Sequence, residues 1–189
     1  MEKERKIKTL SLVALIVAVL GLTVAFANLS KELTITGTAQ VKGATWDIYF
    51  SNVSVATSGG ASASNATINN KTTISIPEVK LTKPGDSVTY TFDVVNGGTV
   101  DAKISDIVNK TASFTSNASS PSSSDVTIVQ NGFTYKLTYN DGSTVKKDDT
   151  LAKNATKNMK IVISFNGDSV PTGDVSIANL GSTITYVQS

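Results

Sequence analysis

The chain has 189 residues, 40% of them hydrophobic, a formal charge of +2, and neither cysteine nor histidine. No disulfide or thiolate chemistry is open to it, and the commonest general base and commonest metal ligand are both missing. The positive balance belongs to one end: residues 1–27 hold four basic and two acidic side chains, the remainder thirteen of each, leaving no electrostatic footprint for nucleic acid or anionic lipid.

Lys3, Arg5, Lys6 and Lys8 precede an uncharged run from Leu10 to Ala27 that closes on Ala25-Phe26-Ala27. A basic start, an apolar stretch and a small-residue site in that order read as a signal peptide cut between Ala27 and Asn28. The alternative is a retained anchor, since about 18 apolar residues just span a bilayer. Either way the positive end stays inside and the rest of the chain is exported, to the cell surface or the secreted medium. The organisation expected is 1–27 as leader or anchor and 28–189 as one β-domain of ordinary size.

After the leader, short alternating runs recur between turn signals. Leu33 to Val41 comes first, with Leu33, Ile35, Ala39 and Val41 on one face and Thr34, Thr36, Thr38 and Gln40 on the other. Further strands are expected at 45–50, 53–56, 72–76, 79–81, 87–95, 102–108, 126–130, 133–139, 144–145, 157–165 and 182–187. Alternation lets one face pack while the other meets water, and the many β-branched and aromatic residues suit that pleat. Such spacing argues for an all-β fold, a jelly-roll or Ig-like sandwich, with no helix beyond the leader. Thr57 to Asn70 and Thr115 to Ser124 are polar, lack bulky side chains, and are expected as exposed loops.

The leader, the Lys83-Pro84-Gly85-Asp86 turn, the alternating strand Val88 to Val95, Asn96-Gly97-Gly98 and the returning strand Ala102 to Ile107 together resemble the TasA/camelysin family. These are exported proteins of Gram-positive bacteria whose best-known member builds biofilm-matrix fibres. The resemblance covers the leader and roughly residues 28–110. It implies a jelly-roll domain that polymerises by donor-strand complementation, in which the segment after the cleaved leader completes the sheet of the next subunit. Here that segment is Asn28 to Val41. Alternation alone is equally compatible with an ordinary first strand paired inside its own domain.

Camelysin carries a metallopeptidase label, but a zinc protease of the common kind needs two histidines, and this chain has none. A serine nucleophile lacks both a histidine base and a Gly-x-Ser-x-Gly elbow. No catalytic residue, cofactor or resident metal is therefore expected. Asp141 with Asp148 and Asp149, or Asp168 with Asp174, are the only carboxylate groupings worth weighing for calcium, and they read better as turn-forming acids. Trp46, Tyr49 and Phe50, and Tyr135 with Tyr139, are candidate sugar platforms that fit a core role better. Seven Asn-x-Ser/Thr sequons occur, at Asn28, Asn52, Asn65, Asn70, Asn109, Asn117 and Asn154.

The expected function is a structural, non-enzymatic protein whose partners are copies of itself and, during export, signal peptidase. Membrane contact runs only through the N-terminal segment. The alternative is a monomeric surface-binding or adhesin module held by an uncleaved anchor. Pilin-like assembly through the leader fits worse, because that class cuts before the apolar run, often after a glycine, and no such site stands between Lys3 and Lys8.

Overall fold

The computed structural model describes residues 2–29, 36–116 and 123–189, with backbone alone for 21–29 and 123. By contacts the chain divides into two units, Met1–Lys42 and Gly43–Ser189. The first holds helix α1, Glu2–Leu29. Its side chains from Leu10 to Leu20 are exposed, and among the described residues no helix is long and apolar enough to cross a membrane. Ala25, Ala27 and Asn28 lie on the helical backbone, with side chains outside the described residues.

The second unit is mostly β. In chain order it holds β1 (Ile48–Ser58), β2 (Ser62–Ala63), β3 (Thr67–Asn69), β4 (Thr73–Ser75), β5 (Val79–Lys80), β6 (Asp86–Asn96), β7 (Ala102–Asn109) and β8 (Ser113–Ser116). Helix α2 (Ser123–Gly132) follows, then β9 (Phe133–Tyr139), β10 (Thr150–Leu151), β11 (Thr156–Phe165), β12 (Val175–Ala178) and β13 (Ser182–Gln188). One sheet runs β1-β6-β11-β9, another β10-β7-β13, and three two-stranded ribbons join β12-β8, β2-β5 and β3-β4. Every pairing is antiparallel.

β6 is the spine, buried and half-buried in strict alternation along its length. Val88, Tyr90, Phe92 and Val94 point inward, and register places Ile163, Ile161 and Met159 of β11 beside the first three. Ala102 and Ile104 of β7 and Leu151 of β10 join the same core, so side chains of both sheets meet in one cluster. The outward face is polar: Asp93 accepts hydrogen bonds from the Asn52 and Asn158 amides, and Ser54 bonds Thr91.

Four expectations are corrected. Residues 126–130 are helical, within α2. Val-Thr-Ile-Val favours a strand by propensity, but Asp125 in the first helical turn accepts hydrogen bonds from Thr172, and that long-range anchor wins. Residues 48–50 and 53–56, expected within two separate strands at 45–50 and 53–56, belong to one strand, β1, interrupted by a bulge at Asn52, whose φ is 53°, and residues 45–47 precede it. The 57–70 stretch is more ordered than its composition implies: β1 runs through Ser58, β2 and β3 follow, and Ala66 is buried. Finally, residues 36–47 form no strand and 36–46 are exposed, whereas a first strand over 33–41 was expected. Leu33 and Ile35 lie outside the described residues; Ala39 and Val41 lack any strand partner, and Val41 is 95% exposed.

Candidate functional site

The site grows from the strand ends. Gly85 turns the chain into β6 with φ at 91°, a conformation glycine adopts without strain, and Pro84 before it presets the turn. Asp86 then points inward, fully buried. Its carboxylate accepts the Gly60 N–H (2.6 Å), the Thr82 N–H (2.7 Å), the Thr82 hydroxyl (2.8 Å) and the Lys83 N–H (3.1 Å). Donation from Gly60 above all, with Thr82 and Lys83 adding to it, outweighs burial and holds its pKa down at about 2. The turn motif is thus a clamp joining the 59–60 corner, the 82–83 segment and the start of β6.

The other end of β6 is closed by Asn96-Gly97-Gly98. The Asn96 amide donates to the Val100 carbonyl (2.9 Å) and the Leu151 carbonyl (3.1 Å) and accepts the Gly98 N–H (3.0 Å). Gly98 is needed because a Cβ there would stand 2.5 Å from the Thr45 carbonyl oxygen. Hydrogen bonds Thr99 N–H to Thr45 O and Gly97 N–H to Asp47 O fasten residues 45–47 to this turn. The point at which the N-terminal segment leaves the domain is thereby fixed.

Between these two ends the core is incompletely filled. A cavity of about 1290 Å³ opens on the inward side of the four-stranded sheet, against Phe50, Phe92, Tyr135, Leu137 and Ile161. It is also lined by Ile74, Ile76, Val79 and Leu81, and by Ile184 and Tyr186 of β13. These aliphatic side chains are only half-buried, unlike the sealed part of the core. β13 is the edge of its sheet, paired to β7 on one side and to no strand on the other among the described residues. Polar side chains, among them Thr73, Glu78, Lys80 and Ser182, line it as well, and a cavity of this mixed lining beside an unpaired strand edge could take a further strand.

The other candidates resolve into structural roles. Asp141 accepts the backbone and hydroxyl of Ser143, which lowers its pKa, and Gly142 follows it at φ 90°. Asp149 accepts the Tyr139 hydroxyl (2.9 Å) and the Lys146 N–H; Asp148 faces Lys103 at 3.7 Å. Among the described residues no three His, Cys, Asp or Glu side chains gather as metal ligands. The aromatic trio is divided: Phe50 packs edge-to-face on Phe92, Tyr49 lies under Lys71, and Trp46 is 47% exposed. Tyr135 and Tyr139 are half-buried against the core. Burial raises the pKa of Tyr135, Tyr139 and Tyr186, the last to about 12, so all three stay neutral donors at ordinary pH. Among the described residues, the shifted carboxylates move down and the shifted phenols up, away from the range useful for proton transfer near neutrality.

Sequence reasoning singled out the Lys83–Asp86 turn for its resemblance but not for the clamp, which needs Gly60 from a distant corner. It had no sight of the cavity. The chain matches no family model, no curated protein and no solved structure.

Proposed function

We propose that this is an exported structural protein, without enzymatic activity, that polymerises at the cell surface or in an extracellular matrix. Its two main sheets form a jelly-roll-like sandwich that lacks one strand. The missing strand comes from a second copy: Leu33, Ile35, Ala39 and Val41 of one subunit enter the cavity of the next, with main-chain hydrogen bonds to the free edge of β13. The observation that carries this is the open cavity, floored by apolar side chains and rimmed by polar ones, beside that edge. Its volume exceeds the roughly 300–1,000 Å³ of ordinary small-molecule pockets and suits an extended peptide. The occupant is chosen by the alternation of residues 33–41 and by the exposed, unpaired state of 36–41. The resemblance to fibre-forming exported proteins points the same way. Cleavage by signal peptidase after Ala27 releases the donor from the membrane, so the leader is both address and safety catch.

The test begins with full-length chain expressed in an exporting host. Material recovered outside the cells is expected to begin at Asn28 and to form filaments by electron microscopy. Deleting residues 28–41 is expected to leave a folded domain that stays monomeric by light scattering. A wild-type protein that begins at Met1 and remains monomeric at high concentration overturns the proposal in favour of an anchored adhesin.

A further inference from the structure

The wall of the cavity formed by residues 72–81 is held unlike the rest of the domain. At its start the Lys71 carbonyl accepts the Phe50 N–H at 2.7 Å, and the Lys71 ammonium lies 5.0 Å from the Tyr49 ring centre. At its end the Asp86 carboxylate holds Thr82 and Lys83. Between these pins the stretch pairs only with short neighbours, β4 with β3 and β5 with β2, and with neither main sheet. Ile76-Pro77-Glu78 carries no strand at all. Ile74, Ile76, Val79 and Leu81 line the cavity without sealing it.

We infer that residues 72–81 are a strap, hinged at Lys71 and at the Lys83–Asp86 turn, that closes over the strand inserted into the cavity. This rests on the strand-insertion reading. The physical case is that both ends are anchored while the middle has few main-chain bonds to break, so small rotations at the pins suffice. The half-exposed Ile74 and Ile76 gain buried apolar surface when the strap meets an occupant, which drives closure. The clamp made by Asp86 then does more than shape a turn. It fixes one hinge so that the strap moves as a lid rather than peeling away.

The absence of cysteine makes the test clean. Full-length Ile76→Cys is labelled with a thiol reagent as soluble protein and as assembled filaments, with Ala152→Cys, in an exposed turn, as the control. In a second arm, a synthetic peptide of residues 31–42 is added to the soluble full-length chain carrying the same substitutions. Closure predicts labelling at position 76 slowed by about tenfold or more on assembly or peptide binding, with position 152 unchanged. Amide hydrogen exchange of residues 73–80 in the unmodified chain reports the same event without a substitution in the strap. Filaments or peptide complexes in which position 76 and the 73–80 amides stay as reactive as in the soluble chain overturn the strap and leave strand insertion standing. A chain that neither assembles nor binds the peptide overturns both.

Discussion

Two parts of one hydrophobic core obey different rules. Where β6 and β11 meet β7 and β10, the side chains of Val88, Tyr90, Ile104, Leu151 and Met159 are sealed from water. Around the cavity, Phe50, Ile74, Ile76, Tyr135 and Leu137 are similar in kind and similarly patterned, yet remain half-exposed. The sealed part has strands on both sides of it. The open part has a main sheet on one side and a strap and a free edge on the other. Residue chemistry does not separate the two; the number of strands does. The sealed part therefore stabilises the fold, and on the proposed reading the open part keeps its burial in reserve for a partner strand.

That contrast can be broken in graded steps. Ile104→Ala in the sealed part is expected to cost about 2–5 kcal/mol, by loss of transfer free energy plus a cavity that close packing cannot refill. Urea denaturation measures it, and a cost below about 1 kcal/mol would erase the distinction. Asp86→Asn comes next. With its folded pKa at about 2, below the ordinary value of 3.8, wild-type Asp86 contributes stability that is fully present above the ordinary carboxylate pKa. That contribution is lost as pH falls from about 4 towards 2, because protonation removes the charge that Gly60, Thr82 and Lys83 are donating to. The variant is expected to melt lower at pH 7 and to lose part of the decline in stability between pH 4 and 2, read from thermal melts across that range. Asp125 and Asp141, also lowered, act in the same direction and leave a residual slope. The smallest effect belongs to Ile76→Ala on the open side. Ile76 is only half-buried at the cavity wall, so the cost in the unassembled chain is expected to stay below about 1 kcal/mol, and strand insertion as proposed predicts a larger loss in filaments.

Particular elements show how far the sequence carried. The strands β6, β7, β9, β11 and β13 were legible because alternation of period two survives when one face is buried and the other wet. The α2 helix was misread because its β-branched run speaks for a strand locally, while Thr172 and the 165–167 segment that hold it are distant in sequence. β8 and β12 escaped notice because each is four residues long and pairs only with the other across α2, β9, β10 and β11. The clamp at Asp86 was visible as a turn motif, but its largest donor, Gly60, lies 26 residues away. The segment proposed as donor shows the reverse. Its alternation is plain, yet the described part of it, 36–41, forms no strand, because a strand needs a partner edge and none is paired with it among the described residues.

By itself, then, the sequence determined the β-rich character, the polarity of the N-terminal end, the lack of histidine and cysteine chemistry, and which side chains along each long strand face inward. Those depend on residue type and local period. Which strands sit side by side, which edges stay bare and where the core is left unfilled were decided by the tertiary structure alone. They follow from counting the layers over each apolar face, and that count depends on contacts far apart in the chain.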